Sequence, residues 1–140
     1  MRQKLNIVTL GVKDLKRSLK FYIDGLGWKP SIAGTENIAF FQMGGVVLSL
    51  YPQEKLAEDV KTNSGGSGFS GVTLAYNAKE EAEVDEVLKK VENLGATIVK
   101  KAEKVFWGGY SGYFADFDEH LCEVAWNPFF DDESDNLVLP

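Results

Sequence analysis

Residues 105–128 read Val-Phe-Trp-Gly-Gly-Tyr-Ser-Gly-Tyr-Phe-Ala-Asp-Phe-Asp-Glu-His-Leu-Cys-Glu-Val-Ala-Trp-Asn-Pro. A glycine-loosened aromatic loop leads into a strand over about 112–115, an acidic turn over 116–119 and a second strand over about 120–126. Asp116 and Asp118 have the short carboxylates that accept backbone amides and reverse a chain tightly. In the second strand the period of two puts Leu121, Glu123 and Ala125 on one face, with Cys122, Val124 and Trp126 on the other. Glu123 is thus an acid among apolar neighbours, and a buried carboxylate is costly unless something pairs with it.

Working outward, the helix before this hairpin is legible in Val84, Val87, Leu88, Val91 and Leu94, one apolar stripe that Gly95 stops. Asn77 with Glu80 three residues on has the form of a capping box, and residues 69–76 read as the strand before it. A further strand is expected near 97–101. The segment 61–68, which includes Ser64-Gly65-Gly66-Ser67-Gly68, reads as a flexible linker.

Upstream of the linker the same order occurs. Residues 4–12 alternate as a strand, Asp14 caps a helix, and Leu15, Leu19, Tyr22 and Leu26 form its apolar stripe until Gly25 and Gly27 end it. Residues 28–32, 37–43 and 46–51 read as three strands, with turn signals at Gly34-Thr35 and Gly44-Gly45. Pro52 opens a short helix to about Val60. Val8-Thr9-Leu10 recurs as Val72-Thr73-Leu74, and Leu26-Gly27 as Leu94-Gly95. The pattern is a duplicated βαβββ module, about 1–60 and 69–128, within a single domain over 1–140 that ends in a tail at 129–140.

The bulk properties exclude several classes of function. With 140 residues, 44% of them hydrophobic, the chain can bury a core without staples. A net charge of -6 and a pI near 4.8 argue against a nucleic-acid partner. One cysteine makes no internal disulfide, and no apolar run reaches membrane-spanning length, so a cytoplasmic protein with neither nucleic acid nor membrane as partner is expected.

The pieces Val8-Thr9-Leu10-Gly11-Val12-Lys13-Asp14-Leu15, Ser18-Leu19-Lys20-Phe21-Tyr22 with Gly25-Leu26-Gly27-Trp28, and 109–116 with 123–128 resemble the vicinal oxygen chelate superfamily. That superfamily includes glyoxalase I, extradiol dioxygenases, fosfomycin-resistance proteins and bleomycin-binding resistance proteins. The resemblance implies an α+β fold in which paired βαβββ modules form a cupped, barrel-like mixed sheet with helices outside. It also implies a homodimer, with modules paired within a chain or exchanged between chains. Where the family usually shows Asp-Pro-Asp-Gly, residues 116–119 here read Asp-Phe-Asp-Glu.

Metal-dependent relatives place ligands at four positions, on the first and last strands of each module. Here those positions fall on Ile7, about Ser49, about Gly71 and Glu123. Only Glu123 is a competent ligand, and a divalent ion needs three or more His, Asp or Glu groups, so no metal or other cofactor is expected. The faces bearing these positions carry Ile7, Thr9 and Gly11; Val47, Ser49 and Tyr51; Phe69, Gly71, Thr73 and Ala75; and Leu121, Glu123 and Ala125. That lining suits a small organic ligand, with Trp107 and Tyr110 in a loop near its mouth. Ligand contacts are therefore expected from Ile7, Thr9, Ser49, Tyr51, Gly71, Thr73, Trp107, Tyr110 and Glu123.

Three roles stay open for Glu123: a hydrogen bond to Thr9, Thr73 or a buried water; ligand binding; or catalysis or metal binding. Cys122 reads as a buried structural thiol and His120 as an exposed turn residue without a partner. The function expected is a metal-free small-molecule-binding protein. The alternative is a lyase, isomerase or dioxygenase of the same superfamily with an unusual ligand set.

Overall fold

The computed structural model describes residues 6–59, 61, 64–66, 68–70 and 72–129. The chain divides after Gly68 into two compact units.

In the first unit, β1 (Ile7–Val12) runs into α1 (Leu15–Leu19), where the Asp14 side chain accepts the Arg17 amide at 3.0 Å as the expected N-cap. The helix widens into one π-helical turn, Lys20–Gly25. It ends at Gly27, whose φ of +79° favours a residue without a Cβ. Strands β2 (Ala39–Met43) and β3 (Val46–Pro52) form a hairpin, β1 joins β3 in parallel, and α2 (Gln53–Asp59) follows Pro52 at once.

The register pairs Val8 with Leu48 and Leu10 with Leu50, while Phe41 sits opposite Leu48 from the other side. Tyr22 and Trp28 meet Phe41 with ring centroids at 6.3 and 5.7 Å, so this face of the sheet lies under the first helix. Leu10, Val12, Phe41, Leu48 and Leu50 are all buried there. Each such side chain contributes about 1.5–3 kcal/mol on leaving water.

The expected strand at 28–32 does not form. Pro30 has no amide to give a ladder, and one backbone bond, Ser31 N–H to Phe40 C=O at 2.8 Å, ties the segment to β2. The first unit is therefore β-α-β-β-α, a three-stranded sheet rather than a full βαβββ module.

The second unit does follow βαβββ: β4 (Leu74–Ala78), α3 (Glu81–Asn93), β5 (Thr97–Lys104), β6 (Tyr110–Ala115) and β7 (Leu121–Trp126). The sheet order is β4-β7-β6-β5, with β4 parallel to β7 and the rest antiparallel. Val84, Leu88 and Val91 bury the helix stripe. A Cβ on Gly112 would lie 2.6 Å from Leu88 Cδ1, so this glycine lets α3 sit close on β6.

Two local expectations differ from what forms. Asn77 lies inside β4 and caps nothing; instead Glu83 accepts the Lys79 amide at 2.7 Å and the Tyr76 hydroxyl, which ties the start of α3 to β4. Strand β4 begins at Leu74, not Phe69, so Phe69 and Thr73 precede it and Val72 is 56% exposed.

Candidate functional site

The site is built by the β6–β7 hairpin. Asp116, buried at its turn, accepts the amides of Asp118 and His120 through Oδ1, each at 2.9 Å. Its Oδ2 meets His120 Nδ1 at 2.9 Å. Glu119 takes a φ of +66° to complete the reversal. His120 is thus not the partnerless residue expected from its place in the sequence; it completes a clamp on Asp116.

This turn fixes the register, with Ala115 opposite Leu121, Tyr113 opposite Glu123 and Ser111 opposite Ala125. Tyr113 stands directly opposite Glu123 across the ladder, on the same face of the sheet. Burial, then the nearby carboxylate of Glu123, raise the phenol above its ordinary pKa. Tyr113 therefore stays protonated as a donor at neutral pH.

On the far side of β6, Lys100 is the ladder partner of Tyr113 and Glu103 that of Ser111. Lys100 Nζ lies 3.2 Å from Glu103 Oε1. A polar row, Lys100–Tyr113–Glu123, thus crosses three strands on the face away from α3. The next member is Ala75 on β4, which removes side-chain bulk from the row's end.

The loop between β5 and β6 closes the upper side. Gly108 has a φ of +93°, and a Cβ on Gly109 would overlap the Trp107 ring. These glycines let the indole lie against the backbone. A cleft of about 340 Å³ results, lined by Lys100, Glu103, Lys104, Val105, Phe106, Trp107, Ser111, Tyr113 and Glu123.

Of the residues expected from sequence, Glu123 and Trp107 meet in this cleft. Tyr110 does not join them: its hydroxyl donates to Asp85 Oδ1 on α3 at 2.9 Å, on the opposite face of the sheet. Thr73 is exposed ahead of β4, and Gly71 lies outside the described residues. Ile7, Thr9, Ser49 and Tyr51 belong to the first unit. There Ile7 and Thr9 are exposed and Tyr51 is half-buried beside Gly11. Ser49, next to Thr9, is buried with a hydroxyl that has no partner among the described residues.

Tyr113, Lys100, Ser111 and Glu103 were missed. The signal for Tyr113 was present, because a tight turn at 116–119 sets Tyr113 across from Glu123 by counting back along the hairpin. Cys122 lies on the helix side, its thiol pushed up to about 12, mainly by burial and then by the Asp116 charge. It is an inert structural thiol.

The donor set does not fit a resident divalent ion. Ile7 offers hydrocarbon, Gly71 has no side chain, Ser49 offers a neutral hydroxyl, and Glu123 alone carries a charged oxygen. No group of three or more His, Cys, Asp or Glu is placed to hold a metal among the described residues.

A family model described as Glyoxalase/Bleomycin resistance protein/Dioxygenase superfamily matches residues 4–124. The chain is similar to the fosfomycin resistance protein FosX of Listeria monocytogenes, 26% identical over 126 residues and 86% of each chain. It is also similar to the metallothiol transferase FosB of Staphylococcus saprophyticus, 28% identical over 124 residues, covering 89% of this chain and 77% of that one. Among solved structures, a glyoxalase-related enzyme from Fulvimarina pelagi superposes with a TM-score of 0.87 at 33% identity, covering 98% of both chains.

Proposed function

We propose that this chain, which belongs to the Glyoxalase/Bleomycin resistance protein/Dioxygenase superfamily, holds a small organic molecule against the Glu123 face of its second sheet without a divalent metal. The observation that carries this reading is the Tyr113–Glu123 pair beside Trp107 in one cleft of about 340 Å³. That volume is of the order of small-ligand pockets, and a few polar groups set among aromatics are what orient such ligands. The name of FosX, a fosfomycin resistance protein, supports small-molecule chemistry on this scaffold. The metal implied by the name of FosB is not carried over, because the positions that would hold one here are Ile7, Ser49, Gly71 and Glu123.

The test is native mass spectrometry of the purified chain for co-purifying small molecules, repeated on Glu123→Gln. A bound species displaced or weakened in the variant, with the fold intact, supports the reading. A ligand retained equally by both would place binding elsewhere.

A second reading is enzymatic, as a lyase or isomerase with Glu123 as base and Tyr113 as proton donor. The cross-strand register favours it, since it sets a carboxylate and a phenol side by side in the cleft lining.

The same reading includes a homodimer, with modules paired within a chain or exchanged between chains. β1 and β4 each lie at one end of the sheet of their own unit among the described residues, and Ile7 and Phe129 are 53% and 70% exposed. Edges and apolar side chains of this kind are commonly covered by a partner.

A further inference from the structure

The cleft beside Trp107 holds charges of both signs, and their pairing leaves one over. Lys100 Nζ lies 3.2 Å from Glu103, and Lys104 Nζ lies 3.8 Å from Glu81. Each ammonium already has a carboxylate. Glu123 has no cationic partner among the described residues; its neighbour across the ladder is the Tyr113 hydroxyl. A neutral phenol beside a carboxylate does not cancel its charge.

The rest of the lining suits the missing partner. Trp107, Phe106 and Tyr113 bring aromatic rings to the same cleft as the carboxylate. Ring faces carry negative electrostatic potential, so rings around an acid attract a cation more than either does alone. The net charge of -6 adds a weak long-range pull of the same sign. An anion entering here would have to take Lys100 from Glu103 while lying beside Glu123.

We propose that this cleft binds a small organic cation, an ammonium or amidinium on an aromatic or apolar body. Its charged N–H groups are directed at Glu123, and its body lies against Trp107. Glu123 then sets the charge of the ligand and Tyr113 holds the carboxylate in position. The inference rests on the reading that the Glu123 cleft is a ligand site, and adds the class of ligand.

The probes are benzylammonium, benzyl alcohol and benzoate, which share a ring and differ in charge. Binding is followed by the Trp107 indole N–H in a two-dimensional nitrogen–proton spectrum, assigned with Trp107→Leu. Benzylammonium is expected to shift that signal saturably, about tenfold tighter than the other two, and Glu123→Gln to weaken it about tenfold. Benzoate binding as tightly as benzylammonium, or an affinity unchanged in Glu123→Gln, would overturn the charge assignment yet leave the cleft as a ligand site. No shift at Trp107 with any of the three overturns both readings.

Should Glu123→Gln lose its dispersed spectrum, the wild-type chain answers the same question through salt. Benzylammonium affinity is expected to fall several-fold between roughly 20 and 500 mM NaCl, because the Debye length shrinks across that range. A salt-independent affinity would overturn the proposal.

Discussion

Asp116 is the residue on which the site's geometry turns. One buried carboxylate holds two amides and an imidazole, and so decides which residue faces Glu123. Asp116→Ala leaves those donors unmatched and is expected to destabilise the chain by about 2–3 kcal/mol, read by urea unfolding. His120→Ala removes one of the three contacts and should cost clearly less; equal losses would mean that the imidazole, not the amides, carries the clamp. Cys122 gives a prediction in pH. Its folded pKa of about 12 lies above the 9.0 of an ordinary cysteine, so its contribution to stability is complete below pH 9. It is lost as pH rises from 9 through about 12, where the unfolded thiol ionises first. Stability measured from pH 8 to 11 should therefore fall less steeply in Cys122→Ala than in the wild type, and identical slopes would contradict the assigned burial.

At the scale of elements, what could be read from the sequence depended on whether the signal was local. The Asp14 cap, the buried Val84, Leu88 and Val91, and the positive φ of Gly27 and Gly95 follow their local signals, whereas the first helix buries Ser18, Phe21 and Tyr22 and leaves Leu15, Leu19 and Leu26 of the expected stripe half-buried. The period of two in β1 and β7 is also local, and the register keeps Val8 and Leu10 on one face with Leu48 and Leu50 and sets Glu123 opposite Tyr113. The strand expected at 28–32 failed because alternation says nothing about whether a neighbouring edge will accept a ladder, and Pro30 withholds the amide it would need. β4 begins later than the composition suggests because exposed Phe69 and Val72 imitate a strand's composition. Tyr110 reads from its aromatic surroundings as a residue of the cleft, yet it is the first residue of β6 and its parity sends it to α3. The close packing of α3 on β6 gives this scale its prediction. Gly112→Ala drives a methyl to within 2.6 Å of Leu88 and 2.9 Å of the Lys100 carbonyl. It should destabilise by about 1–3 kcal/mol by thermal or urea unfolding, and a neutral effect would show that α3 has room to lift.

For the whole molecule, the echoed Val-Thr-Leu and Leu-Gly pairs suggest two equal modules, whereas the described sheet of the first unit has three strands and that of the second four. No helix among the described residues is long and apolar enough to cross a membrane. The proposed homodimer is checked by sedimentation, which should show a species near twice the 15.5 kDa of the chain at micromolar concentration. A single species at the monomer mass would rule the homodimer out.

The central claim is that Glu123 serves a small-molecule ligand rather than a catalytic ion. The most direct measurement is elemental analysis of wild-type and Glu123→Gln protein purified without chelator. A lone carboxylate fixes no coordination geometry and supplies little binding energy, so well under one zinc, nickel, manganese or iron per chain is expected in both proteins. Stoichiometric metal in the wild type that disappears in Glu123→Gln would contradict the account and make Glu123 the anchor of a metal site.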